Sequence, residues 1–473
     1  MTLNSFWFII YFMLLLIVVF TVQLIGKFIG DKAAKKLQII ILLLFSYFFL
    51  YKSDWRFCVC IFAVSLITYF FGISLGKVKN KKILIGGIIV LLLPLIYFKY
   101  TNFFYSSFYS IIVKDFVLLN IILPVGISFY TFSALSYIID VYRGDYEAEH
   151  NFINLALYIA FFPKLTAGPI VRGKEFFPQL RNYRGLKLNA FSHGVQIFVF
   201  GLFKKIVLAD YLGVFVDDVF FAPDAYNTGT VILAVISYSM QIYFDFSGYS
   251  DMAIGISKII GFDFLPNFNL PYMSKNISDF WKRWHISLSS WFQDYLYIPL
   301  GGNRRGEIKT YINLILVMLI SGLWHGAGWT FVIWGILHGC FSCLNRVIKK
   351  SKINTKNFNA INILLTFFLV TLLWVVFRAD TFSAAIKVWK GMFTIHSGIS
   401  QPYTWSFFAL FVLVVSSLIA YIYSKKKGFK EIQGIYPVLD LSHFWNLVIF
   451  FTFIGLTIII GYFGDTAFIY GKF

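Results

Sequence analysis

The chain has 473 residues, of which 59% are hydrophobic, 21% aromatic and only 13% charged, with a net charge of +19 and a mean hydropathy of +0.75. Soluble globular chains carry about a quarter charged residues, so this composition excludes a soluble protein of this size. Length alone would allow two or three soluble domains of about 150 residues, but the apolar runs argue for one continuous helical membrane domain over residues 1–473.

In chain order the apolar runs are Phe6–Gly26, Leu37–Tyr51, Phe57–Leu75, Ile83–Tyr97, Phe116–Ile139, Leu188–Phe203, Val231–Phe244, Ile312–Leu323, Trp329–Leu344, Ile361–Phe377, Phe407–Tyr423 and Leu447–Tyr462. About 20 apolar residues cross the hydrocarbon core as a helix. Several runs are shorter, which predicts about ten to thirteen transmembrane helices, some broken or tilted. Backbone in lipid must satisfy its own hydrogen bonds, which leaves helices or a closed barrel, and these runs do not alternate as barrel strands do. The predicted fold is therefore all-α and polytopic. No small-residue cleavage site follows the first run, so it reads as an uncleaved helix rather than a signal peptide.

The positive charge sits in short loops: Lys27–Lys36, Lys77–Lys82, Arg172–Lys187, Arg304–Lys309, Lys349–Lys356 and Lys425–Lys430. Two runs separate the first two loops, and two separate the last two, so the positive-inside rule puts these loops in the cytoplasm and the N-terminus outside. The same residues anchor helices to anionic lipid. No basic groove interleaved with aromatics suggests nucleic acid. Cys340 and Cys343 form a C-x-x-C inside an apolar run, with only His338 nearby; a closed metal site needs four ligands, so packing cysteines are the preferred reading and no metal is expected.

From Pro124 to Gly339 the apolar stretches carry charged, Gly, Pro and His residues, which are costly at membrane depth and point to function. Leu155–Pro163 is too short to span, and Pro163, Gly168 and Pro169 forbid a continued helix, so it reads as a re-entrant element or a loop. Asp245 lies within the apolar stretch Gln241–Met252; a helix end there, with Ser250 or Asp251 capping the next helix, is the plain reading, but it explains Asp245 less well, and a role in positioning a partner is the alternative. The stretch Phe280–Arg304 mixes Trp, Tyr, Lys and Arg, as membrane interfaces do. It reads either as an aromatic belt in the membrane surface or as the lining of a polar entry containing His285.

Ser321–Trp329 is the sharpest interruption. From Lys309 to His325 is sixteen residues, about 24 Å of helix at 1.5 Å per residue, so His325 falls past the middle of a core about 30 Å thick. Gly322, Gly326 and Gly328 allow a turn or close packing. A histidine there can be a structural bridge, a proton relay or a general base, and spacing alone does not choose. His338 reads as structural. His150, His193, His396 and His443 carry no assignment.

These stretches resemble the membrane-bound O-acyltransferase family, in particular its bacterial branch that includes the alginate O-acetylase membrane subunit. The matching segments run in the family's order: Pro124–Phe132, Phe162–Ile170, Gly201–Lys205, Phe244–Gly255, Phe280–Ser289, Asp294–Arg304, Gly322–Ala327 and Trp374–Ala379. The resemblance implies re-entrant and interfacial helices around a central tunnel, with a catalytic core over 120–350. It implies acyl transfer to a hydroxyl, with His325 as the main catalytic position and His285 as the second. Supporting or tunnel positions would be Asp245, Trp281, Trp324, Asp294 and Asn303. The implied donor is acetyl-CoA, and with no Gly-rich phosphate cradle, Lys282, Arg283, Arg304 and Arg305 are the candidates to bind it. Transfer would serve an exported or cell-wall polysaccharide, from the inner (cytoplasmic) membrane, with a secreted or periplasmic SGNH-type acetyltransferase as partner. D-alanyl transfer to teichoic acid ranks second. A proton-coupled lipid or glycan transporter using Asp245, His285 and His325 is the alternative of another class, and it calls for inverted repeats of broken helices, of which only one half is visible. A scaffold whose polar residues are structural is a third. No G-x-S-x-G accompanies the histidine, which disfavours a hydrolase triad.

Overall fold

The computed structural model describes residues 2–112, 118–183, 185–351, 359–427, 438–464 and 469. Among them the protein is 78% helical and has no strand. The helices that follow are α1 (Phe6–Ile29), α2 (Asp31–Tyr51), α3 (Trp55–Lys77), α4 (Lys81–Leu95), α5 (Thr101–Ile112), α6 (Ile127–Arg143), α7 (Phe152–Ala160), α8 (Phe162–Leu165), α9 (Gly173–Arg181) and α10 (Leu188–Phe203). After them come α11 (Asp210–Phe221), α12 (Thr228–Ile259), α13 (Ile277–Arg283), α14 (Ile286–Phe292), α15 (Glu307–His325), α16 (Trp329–Lys350), α17 (Asn359–Arg378), α18 (Phe382–Phe393), α19 (Thr404–Lys427) and α20 (Phe444–Ile460). Among the described residues, eight helices are long and apolar enough to cross a membrane: α1, α2, α3, the continuous 81–109 segment, α12, α15, α16 and α17. Thr404–Ile419 and Phe444–Ile460 are shorter apolar helices. The protein is an all-α, polytopic membrane protein. The expected run from Phe116 begins partly outside the described residues and becomes helical only at Ile127, because Pro124 and a left-handed Gly126 precede it. The basic loops at Lys349–Lys356 and Lys425–Lys430 also fall partly outside the described residues.

The chain divides into two compact units, residues 1–199 with 249–264, and residues 200–248 with 265–473. In the first, α7 and α8 are buried, so Leu155–Pro163 is an interior element rather than a surface loop. The Phe162 ring packs against Phe45 at 4.9 Å and Phe49 at 6.0 Å between centroids. The Tyr158 hydroxyl donates to the carbonyls of Ser133 and Val171, both at 3.1 Å.

Helix α12 corrects the expected helix end near Asp245. It runs unbroken for 32 residues, and 72% of its apolar window is buried, against 17% for residues 81–109. Gly248 does not break it. A Cβ there would stand 2.7 Å from the Gly201 carbonyl oxygen, so the glycine serves a close approach of two backbones.

In the second unit, α15 and α16 form an antiparallel pair built on the same device. A Cβ on Gly322 would meet the Phe331 carbonyl oxygen at 2.2 Å, one on Gly335 the Met318 oxygen at 2.4 Å, and one on Gly339 the Ile315 Cα at 2.8 Å. The turn between the helices is made by extended backbone, φ −156° at Gly326 and −163° at Gly328. Gly326 is needed for space, since a Cβ would strike the Phe331 ring at 2.1 Å, whereas at Gly328 the nearest atom is 3.5 Å away. Gly335→Val should lower the thermal unfolding midpoint of detergent-solubilised protein, since overpacking costs about 1–3 kcal/mol. Gly455→Ala, where nothing lies within 4 Å, should leave the midpoint unchanged or raise it.

Candidate active site

His325 is the last residue of α15 and is 2% exposed. The glycine contacts that seat α15 on α16 bring its imidazole against the Trp334 ring of α16, 5.3 Å between centroids. From α17, Phe377 reaches the same imidazole at 5.4 Å. Trp334, Trp374 and Phe377 complete the wall, with Trp334 and Trp374 stacked at 5.8 Å and 19°.

His285 arrives from the short pair α13–α14. This segment is two short helices rather than one. It breaks at His285, which has φ 42° and ψ 57° and is fully buried. Left-handed backbone is costly for a residue with a Cβ, and such strain clusters at functional sites. Here neighbouring backbone enforces it. Ile286 N–H donates to the Asn267 carbonyl at 2.8 Å, and Asn269 N–H to the Arg283 carbonyl at 2.9 Å. Ser287 N–H donates to Asn267 Oδ1 at 3.3 Å. Trp284 then packs on Trp374 at 5.0 Å and His285 on Phe246 at 4.6 Å. Helix α13 is tied to α16 by Asn345 Nδ2, which donates to Ser278 Oγ at 2.6 Å.

Trp324 stands against both imidazoles, 5.8 Å from His285 and 5.0 Å from His325 between centroids. The two histidines, forty residues apart in sequence, therefore share one aromatic wall. His285 belongs to none of the spanning helices, and burial pushes its imidazole down to about 3, so it is neutral, with one ring nitrogen a donor and the other an acceptor.

Asp245 occupies a separate but adjoining place. Lys205 Nζ lies 2.7 Å from Asp245 Oδ1 and 2.6 Å from Asp210 Oδ1, with all three side chains at most 5% exposed. A π-helical turn, Lys204–Ala209, carries the lysine; such turns often mark functional sites. Asp245 Oδ2 also accepts the backbone N–H of Ile469 at 2.8 Å. Asp245 thus pairs with Lys205 inside an unbroken helix, and the next residue, Phe246, is the one packed on His285.

Of the remaining expected positions, Trp281 joins the wall, 5.7 Å from Trp334 between centroids. Trp281 is half-buried and Asp294 lies on a π-turn at Gln293–Tyr297. Asn303, Arg304, Arg305 and Lys282 are exposed, and Arg283 is engaged by Asp279 at 2.9 Å. Sequence reasoning assigned no role to Trp334, Trp374, Phe377, Lys205 or Asp210. The last four of these five lie in or beside the matching segments Gly201–Lys205 and Trp374–Ala379, which was the available signal.

The fold is that of a multi-pass membrane protein, and its sequence relatives place it among acyltransferase enzymes. The sequence model of the membrane-bound O-acyltransferase family matches residues 12–386, a span that includes both histidines and the ion cluster, and the chain belongs to that family. It is 43% identical over 366 residues to the probable alginate O-acetylase AlgI of Pseudomonas aeruginosa, covering 75% of this chain and 69% of that protein. It is 41% identical over 340 residues to the peptidoglycan O-acetyltransferase of Helicobacter pylori, covering 65% and 64%. With the teichoic acid D-alanyltransferase of Bacillus subtilis it shares 32% over 254 residues, 49% of this chain and 62% of that one.

Removing one partner from a buried ion pair leaves an uncompensated charge and costs about 3–5 kcal/mol. Lys205→Met should destabilise the protein by that order in a detergent unfolding assay. Adding Asp245→Asn should recover part of the loss, whereas independent sites would give additive losses.

Proposed function

We propose that the protein takes acetyl from acetyl-CoA on the cytoplasmic side and passes it, through an intermediate hydroxyl acceptor, across the cytoplasmic membrane for O-acetylation of an exported or cell-wall polysaccharide, with His325 as general base. The observation that carries this reading is the pairing of two buried histidines across Trp324, one of them ending a membrane-length helix. The similarity to the alginate and peptidoglycan O-acetylating proteins supports the acyl group and the class of acceptor.

In this mechanism the acceptor hydroxyl gives its proton to His325 as its oxygen bonds to the acyl carbon. The sulfur–carbon bond breaks, and the leaving thiolate takes the proton back from the imidazolium. A hydroxyl is a weak nucleophile until a base removes its proton, and a water-excluding aromatic wall protects the thioester from hydrolysis. His285, neutral and held in strained backbone, orients the group that approaches from its side of Trp324. Lys282, Arg304 and Arg305, exposed and basic, attract the anionic donor, while Arg283 serves through its bond to Asp279. Final transfer to the glycan falls to a secreted SGNH-type partner. D-alanyl transfer is the second reading, ranked lower because the similarity to the D-alanyltransferases covers half the chain.

In inverted membrane vesicles given radiolabelled acetyl-CoA, the wild type should consume donor. At matched abundance His325→Ala should lose about 100-fold or more, since general base catalysis contributes about 10²–10⁴-fold. A His285→Ala loss of at least tenfold is expected. Donor consumption by His325→Ala at the wild-type rate would refute the assignment. No consumption by the wild type, even with its secreted partner added, would refute acetyl-CoA as donor and direct attention to a D-alanyl carrier.

A further inference from the structure

The wall around His325 contains a group that this mechanism leaves unused. His338 lies on α16, one turn after Trp334, and is fully buried. Trp281 Nε1 donates to His338 Nδ1 at 3.3 Å. An indole nitrogen can only donate, so Nδ1 must accept and the ring proton must sit on Nε2. That Nε2–H is buried and has no hydrogen-bond partner among the described residues. The indole N–H groups of Trp284, Trp334 and Trp374 share its condition. The His338 ring is 4.6 Å from Trp334, which is itself 5.3 Å from His325.

Buried polar groups in native proteins are nearly always paired. Four unpaired donors in one aromatic cluster beside the proposed base call for a guest. Every one of them is a neutral N–H, so the guest must accept hydrogen bonds. An ammonium or another donor-only group does not fit; a carbonyl oxygen does. We propose that His338 Nε2–H, fixed in its tautomer by Trp281, and Trp334 Nε1–H hold the acyl carbonyl oxygen during transfer. This rests on the acyl-transfer reading above. As the acceptor oxygen bonds to the acyl carbon and its proton passes to His325, the carbonyl π pair moves onto oxygen. The two donors stabilise that oxyanion. It collapses to re-form the carbonyl, the carbon–sulfur bond breaks, and the thiolate takes the proton from His325. Donors placed for developing charge act on the rate constant more than on substrate binding. Between turnovers the same donors suit a water molecule.

The test uses the full-length chain in vesicles or detergent with radiolabelled acetyl-CoA, measuring kcat and KM for His338→Leu, His338→Gln, Trp334→Phe and Trp281→Phe, with thermal midpoints alongside. Loss of one such donor costs about 10²–10³ in kcat, so His338→Leu should fall by about 100-fold with KM changed by less than about threefold. His338→Gln, which keeps an N–H of similar reach, should recover at least tenfold of that. Trp334→Phe and Trp281→Phe keep an aromatic ring while removing the N–H along with the rest of the pyrrole ring, and both should lower kcat with the thermal midpoint read alongside; they decide the matter if His338→Leu does not fold. Unchanged kcat in His338→Leu, or a lowered thermal midpoint with kcat intact, assigns the donors to a resident water and overturns the proposal. So does an equal loss in His338→Leu and His338→Gln. If the wild type itself turns over no acetyl-CoA, the acyl-transfer reading fails and takes this inference with it; that outcome is seen before any variant is compared.

Discussion

The backbone contact between α15 and α16 is the constraint on which the site depends. Three glycines, Gly322, Gly335 and Gly339, replace side chains with direct approach to the facing helix. In lipid there is no hydrophobic force between helices, so close van der Waals packing of small residues must hold such a pair. The consequence is local and chemical. His325, at the end of one helix, is pressed against Trp334 on the other, and α17 closes over both through Trp374 and Phe377. Without that contact the imidazole would have no wall to exclude water.

A second constraint fixes the other half of the wall. The Lys205–Asp210–Asp245 cluster places opposite charges inside the protein at 2.6 and 2.7 Å. An ion pair this deep does little for stability compared with apolar packing. Asp245 lies beside Phe246, whose ring is 4.6 Å from His285. The strained turn at His285 is held from the opposite direction by the bonds from residues 267–269. The two histidines thus reach Trp324 by unrelated routes, one by glycine packing and one by a polar frame.

Much of this was legible in the chain. Apolar run length and low charge give an all-α membrane protein, because lipid leaves the backbone few alternatives. His325 stood out since sixteen residues of helix from Lys309 carry it deep, and its flanking glycines signalled close packing. His285 entered as one member of a polar-entry lining, and only the resemblance gave it a role. Its mixed Trp, Lys and Arg surroundings read as an interface, whereas the backbone bonds that fold it inward involve Asn267 and Asn269, about twenty residues earlier, and no local pattern shows them. The same applies to Asp245. Its partner Lys205 is forty residues upstream on a π-turn, so the local reading offered only a helix end, which accounted poorly for Asp245, where an unbroken helix runs. Trp334 and His338 were hidden for another reason: on a helix this apolar, aromatic residues facing the core look no different from those facing lipid. His338 gains meaning only once Trp281 is seen to fix its tautomer.

The claim that His325 acts as the base is tested most directly by replacing its imidazole from solution. In vesicles carrying His325→Gly, donor turnover would be followed with and without added imidazole over a range of pH. The account predicts an inactive variant that imidazole partly restores, in proportion to the free-base form and therefore increasingly as pH rises through about 7. Turnover at the wild-type rate with no imidazole present would contradict it, because the acceptor's proton would then be leaving by another route.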